Sequence, residues 1–332
     1  MKTKAQILAL VILLSVVVLV GCEPLVPTPT PQLIIITATA SPTPVLTPTP
    51  TLTPTPEVSP TPEPTASPTA VSCPETTGQV IVFAEFPSEI AGRNMPYRVY
   101  VPPCYFQLAR RYPVVYLLHG ASQDDTQWED LGLPEVLDRG LQLGEYPPMI
   151  VVMPYGAGLL PDNSFPPDAS LENYLLEELM PRIEKDFCTW EDRAYRAIGG
   201  NSRGGFWALS IAFRHPELFS KVGAHSPALD TDITPAAYNP LELALSAPFL
   251  DTLRIYLDNG AEDPVRPEVE RLSTRLVQRR VAHEYVIDPL GTHSDTYWAN
   301  HLPDYLAFYG GTPIDGWPRD AGQLPSCLEP SP

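Results

Sequence analysis

Positive charge is scarce in this chain: 21 Lys and Arg stand against 39 Asp and Glu over 332 residues. Leaving out the first 72 residues, 19 basic side chains remain against 36 acidic ones. A surface so poor in cations argues against contact with nucleic acid or anionic lipid through a basic face. Cysteine is scarce too, at five residues, and none has the CxxC or Cys/His spacing of a metal site. Nor does the chain carry a clear stop-transfer span, because its apolar N-terminal run, ILALVILLSVVVLV, falls short of the ~20 residues needed.

What is present begins with export. MKTKAQ supplies two lysines, the apolar run follows, and LVGC closes it at residues 19–22. This order describes a secretory signal rather than a domain helix. The LVGC ending resembles the bacterial lipobox, which implies a signal peptide over 1–21 and lipidation of Cys22 as the new N-terminus. An ordinary signal peptide or an uncleaved anchor are the alternatives, and all three export the chain. The expected location is the outer face of the cell membrane. Residues 22–72 are dominated by Pro, Thr, Ser and Ala, with repeats such as TPTPTLTPTPEVSPTPEPT. Such a segment has too little apolar surface to offset its ordering entropy and reads as a stalk. An apolar patch at 33–40, LIIITATA, has no explanation on this reading.

Residues 73–332 are long enough for one well-buried domain. Its cysteines, Cys73, Cys104, Cys188 and Cys327, are even in number, which in an exported chain suggests disulfides with three possible pairings. A hairpin of QVIVFAEFP (79–87) and PYRVYVP (96–102) brings Cys73 near Cys104, leaving Cys188 with Cys327. Further strands are expected at 112–120, 148–156, 194–199, 221–227, 253–260 and 283–291. Helical patterns lie at 129–142, 171–187, after residue 202, at 267–281 and near the end, and Pro181 is expected to kink or restart the second of these. Strands alternating with helices imply a mostly parallel sheet covered on both faces, with an antiparallel edge from the hairpin. Sites in such sheets lie in the loops after the strands.

Four of those loops are polar: HGASQDDTQW, GNSRGG, LDNGAEDP and GTHSD. They supply Ser202, then acids at 258–263, then His293, which is the chain order of α/β-hydrolases. Gly200-Asn201-Ser202-Arg203-Gly204 fits G-x-S-x-G, whose glycines relieve a crowded strand-to-helix turn. A serine hydroxyl needs a base to take its proton, and a near-neutral histidine suits that task. An acid then orients the imidazole. Two backbone N–H donors, expected at Ala121 and Arg203, would receive the tetrahedral oxyanion.

YRVYVPPCY, YPVVYLLHG, QDDTQW, GGNSRGGFWAL with FRHPELF, and GTHSDTYWANHLPDYLAFY together resemble the esterase D-like family of α/β-hydrolases. That family includes feruloyl and acetylxylan esterases, S-formylglutathione hydrolases, enterochelin esterases and mycolyltransferases. The resemblance covers nearly all of 79–310. It implies an α/β-hydrolase fold, Ser202 as nucleophile, His293 as base, an acid in the DNGAED loop and Ala121 in the oxyanion loop. The family's acid falls beyond the turn, which favours Asp263 over Asp258, with Glu262 third. Many members carry an apolar residue where Arg203 stands. Arg203 is therefore expected either to bias the rim toward a carboxylate-bearing substrate or to pair with a nearby acid. Asp125, Trp128 and His225 are the candidate substrate contacts, and His119 reads as structural.

The expectation is a tethered serine esterase acting on carboxylic esters, with acetyl or feruloyl esters of polysaccharide foremost. It requires no cofactor. An acyltransferase and a non-catalytic surface-binding protein on the same scaffold are the alternatives.

Overall fold

A computed structural model describes residues 32–36, 73–229, 234–311 and 317–328, the first of these by backbone alone. The expected signal peptide, Cys22 and all of the stalk except 32–36 lie outside the described residues. Among those residues no helix is long and apolar enough to cross a membrane.

Nine strands form one sheet among the described residues: β1 (Gln32–Ile36), β2 (Gln79–Phe83), β3 (Tyr97–Val101), β4 (Val114–Leu118), β5 (Ile150–Pro154), β6 (Arg196–Asn201), β7 (Lys221–His225), β8 (Arg254–Gly260) and β9 (His283–Asp288). Their spatial order is β1-β9-β8-β7-β6-β4-β5-β3-β2. From β9 across to β5 all pairings are parallel, while β3 and β2 add an antiparallel edge. The central strands are buried along their whole length, which is why VVYLL and IVVMP read as unbroken apolar runs rather than alternating ones. Apolar side chains pack on both faces of this sheet.

The apolar patch at 33–40 acquires a partial explanation. Gln32–Ile36 pairs antiparallel with β9, Gln32 opposite Ile287 and Ile36 opposite His283. An apolar segment of the expected stalk thus covers a sheet edge that would otherwise present unpaired backbone groups. Its remaining residues, 37–40, lie outside the described part.

The helices that matter for the site are α1 (Gln127–Asp130), α2 (Leu133–Leu143), α3 (Met180–Asp186), α4 (Arg203–Arg214), α5 (Arg266–Gln278) and α6 (Asp295–Gly310). Pro181 falls where a π-helical stretch (Tyr174–Leu179) runs straight into α3, so the hydrogen-bond register of the helix changes at the proline. The helix expected at 129–142 is divided into α1 and α2 by Gly132, which adopts φ +89°. Disulfides join Cys73 to Cys104 and Cys188 to Cys327.

Candidate active site

The turn from β6 into α4 sets the geometry. Ser202 has φ 51° and ψ −118°, a strained combination for a residue with a Cβ. It persists because the surroundings over-determine it. The Ser202 N–H donates to the His225 carbonyl at 2.9 Å, and the Ser202 carbonyl accepts from Ala228 at 2.9 Å. The flanking glycines are required by close approach. A Cβ at Gly200 would lie 2.6 Å from the Leu118 carbonyl oxygen, and one at Gly204 would lie 2.5 Å from the carbonyl oxygens of both Leu118 and His119. Helix α4 can therefore dock against the end of β4 only if both positions lack a side chain.

Ser202 meets the loops that follow β8 and β9. His293 Nε2 lies 2.9 Å from Ser202 Oγ, and His293 Nδ1 lies 3.1 Å from each carboxylate oxygen of Asp263. The order of hydrogen bonds assigns the tautomer: an ionised carboxylate only accepts, so Nδ1 carries the proton and Nε2 is left to accept from the hydroxyl. Burial pushes the Asp263 carboxyl up, but hydrogen bonds from His293 and from the Val265 N–H outweigh it and hold it below the ordinary carboxylate value. Trp298 packs its indole edge-on to the imidazole, with ring centroids 5.1 Å apart.

The oxyanion loop follows β4. His119 is buried and uses both ring nitrogens: Nε2 accepts from the Gly156 N–H at 2.8 Å, so Nδ1–H donates to the Gly120 carbonyl at 2.7 Å. The same carbonyl accepts from the Gln123 N–H at 3.2 Å. In a trans peptide the N–H points opposite the carbonyl. Holding the Gly120 oxygen therefore turns the Ala121 N–H the other way, and this N–H carries no hydrogen bond among the described residues. Ala121, Ser202, His293, Ser294, Asp295 and Trp298 are among the residues lining one cavity of about 250 Å³. Arg203 follows Ser202 at the first position of α4, where N–H groups lack intrahelical partners.

Several expectations are corrected. His225 does not face substrate: it is fully buried, with Nδ1 2.8 Å from Asp258 Oδ1 and Nε2 3.0 Å from the Tyr309 hydroxyl. That contact also withdraws Asp258, whose other oxygen accepts from Tyr297 at 2.7 Å and Tyr305 at 2.8 Å. Trp128 is buried with its indole N–H on the Leu118 carbonyl, so it packs under the oxyanion loop. Asp125 is held by Arg98 at 2.9 Å and does not line the cavity. Glu262 is exposed and takes no place in the cavity lining. The Arg203 guanidinium does not stand at the rim. It is buried, donates to the Leu160 and Asp162 carbonyls and the Asn163 side chain, and lies 4.0 Å over the Phe206 ring.

Gln127, Asp295 and Trp298 were not anticipated. Their signal is spacing: Asp295 and Trp298 are three apart on the helix that follows His293, so both face the same side as the loop.

The sheet order and the serine on a strained strand-to-helix turn define an α/β-hydrolase. The model of the esterase family ("Putative esterase") matches residues 88–309, and the chain belongs to that family. Over 148 residues, 42% of this chain, it is 36% identical to an endo-1,4-beta-xylanase/feruloyl esterase of Xylanibacter ruminicola, and the match covers 20% of that protein. An iron(III) salmochelin esterase of Escherichia coli is 25% identical over 71% of this chain and 58% of its own length. The chain thus spans from a fifth to little more than half of these relatives. Among solved structures, a ferulic acid esterase superposes with a TM-score of 0.64 at 24% identity, covering 70% of this chain and 97% of the other. An S-formylglutathione hydrolase of Staphylococcus aureus gives 0.59 at 17% identity, covering 69% and 97%.

Proposed function

We propose that this chain is a serine esterase that hydrolyses carboxylic esters through an acyl-enzyme. The observation that carries the reading is the continuous hydrogen-bonded line from Ser202 Oγ through His293 to Asp263, with both gaps within 3.1 Å. In the first step Ser202 Oγ attacks the ester carbonyl while its proton passes to His293 Nε2. The Asp263 carboxylate stabilises the imidazolium across Nδ1–H. The oxyanion develops against the N–H groups of Ala121 and Arg203. The leaving alcohol takes the proton from Nε2, and water then repeats the sequence to release the acid and restore Ser202.

The family relatives named for feruloyl esterase activity support an ester on plant polysaccharide as substrate. A cavity of about 250 Å³ falls below the ~300–1,000 Å³ that enclose drug-sized ligands. It suits an acetyl or similarly short acyl group best, with the alcohol outside. Export and a lipid anchor at Cys22 would place the enzyme at the outer face of the membrane.

A burst of 4-nitrophenol from 4-nitrophenyl acetate, absent in Ser202→Ala, tests the reaction. No burst together with no labelling by a fluorophosphonate would overturn it. A panel of acetyl, butyryl and feruloyl esters then orders the acyl preference, and membrane partitioning lost in Cys22→Ala tests the anchor.

A further inference from the structure

The oxyanion loop and the histidine loop come from opposite ends of the domain sequence, yet one buried side chain joins them. Gln127, at the start of α1, is 4% exposed. Its Oε1 accepts from the Gly120 N–H at 2.9 Å, and its Nε2 donates to Asp295 Oδ1 at 3.1 Å. The amide has only one orientation available. Gly120 N–H can only donate, so the oxygen must face it, and the carboxylate can only accept, so the NH₂ must face Asp295. Asp295 opens α6 two residues after His293. The bridge thus runs from the peptide preceding the Ala121 N–H to the helix that carries the base.

We infer that Gln127 and Asp295 are positioning residues that hold the oxyanion donor Ala121 in register with His293. This rests on the proposed esterase reaction. Gly120 is clamped at both ends of its backbone: His119 and Gln123 fix its carbonyl, and Gln127 fixes its N–H. Without Gln127, that N–H is left buried and unpaired and the loop can rotate about the remaining contacts. A donor displaced by about 1 Å costs on the order of 10²-fold in rate. The Asp295 carboxylate makes the second hydrogen bond charge-assisted, roughly twice as strong as a neutral one, and so sets the amide's direction.

The test is a swap. Gln127→Glu alone opposes two carboxylates and should lower kcat on 4-nitrophenyl acetate about 10²-fold, with KM changed little. Asp295→Asn alone keeps an acceptor for the Gln127 NH₂ but removes its charge, and should lower kcat by less than Gln127→Glu does. Gln127→Glu combined with Asp295→Asn rebuilds the bridge in reverse, because a Glu oxygen still accepts from Gly120 while its partner amide now donates. That pair should recover to within about fivefold of wild type. The affinity of a boronic acid, which forms a tetrahedral adduct on Ser202, should fall and recover in step with kcat at a temperature well below the thermal melt of every variant, so that loss of fold does not account for the change. Wild-type turnover in Gln127→Glu, or no recovery in the double variant, would overturn the inference. Absence of Ser202-dependent hydrolysis in the wild-type chain would instead remove the esterase reading itself.

Discussion

Replacing Asp263 by Asn tests the geometry most sharply, because the substitution keeps shape and changes only hydrogen-bond polarity. One carboxylate oxygen of Asp263 accepts from the Val265 N–H at 3.0 Å. In the variant that position must remain an oxygen, and the NH₂ replaces the other oxygen, which lies 3.1 Å from His293 Nδ1. An NH₂ facing Nδ1 drives the imidazole proton to Nε2, the nitrogen that must accept from Ser202. The same change in a serine protease costs about 10⁴-fold in kcat, and about 5.5 kcal/mol of barrier corresponds to it. Folding should suffer far less, since the loss is one charge-assisted hydrogen bond worth about 1.5–3 kcal/mol. Asp258→Asn should behave in the opposite way. It breaks a fully buried pair with His225 and weakens two tyrosine hydrogen bonds. Hydrogen bonds to a buried carboxylate are worth about 1.5–3 kcal/mol each, so weakening three of them should lower the melting temperature by roughly 10 °C for a domain of this size. Stopped-flow turnover and thermal melts on the two variants together decide the matter. Turnover of Asp263→Asn within tenfold of wild type, or a larger turnover loss in Asp258→Asn, would refute the reasoning.

Three further outcomes are expected. Gly204→Ala forces a Cβ to within 2.5 Å of two carbonyl oxygens and should cost about 1–3 kcal/mol or more, seen as a lower melting temperature and reduced turnover; wild-type values for both would contradict the close-approach argument. Cys188–Cys327 closes a separation of 139 residues and Cys73–Cys104 one of 31, so Cys327→Ser should destabilise by about 5 kcal/mol and Cys73→Ser by about 3.7 kcal/mol in the chain-entropy model; denaturant melts giving the reverse order would count against it. Burial holds His119 and His283 below the ordinary imidazole value, so their contribution to stability is complete above pH ~6.5 and declines as pH falls below it. His215, raised chiefly by its hydrogen bond to Glu172, contributes in the opposite sense: in full below pH ~6.5, and lost as pH rises through its folded value. Melting temperatures between pH 4.5 and 7.5 should therefore show a shallower acid limb in His119→Gln, and an unchanged limb would exclude His119 as a source.

The architecture was legible because its signals are local. Unbroken apolar strands, amphipathic helices and polar post-strand loops each show within about ten residues, and the central strands fall where those patterns lie. Cys73 and Cys104 could be paired in advance because one hairpin brings them together. The residues around the cavity were harder to read, for a physical reason. Whether His225 points to solvent or into the protein depends on Asp258, Tyr305 and Tyr309, which lie 33 to 84 residues away and approach only through packing. Trp128 looked like a cavity wall because it follows a polar loop, yet Leu118 captures its N–H from below. Arg203 breaks an apolar pattern, and only the 157–165 loop folding over α4 reveals carbonyl groups waiting for it. Gln127 carries no signal in the sequence because a glutamine has no distinctive chemistry until both of its partners are in place.

Two histidine–carboxylate pairs thus stand at neighbouring strand ends, one sealed and one open. The side chains of His293 and His215 are each 25% exposed, whereas His225 has no exposure at all. A reagent that acylates imidazole from solution would accordingly distinguish the pairs by access. With His215 and the 11%-exposed His301 replaced, the loss of one modifiable imidazole would report occupancy of the Ser202 site directly, against a background that the interior keeps silent.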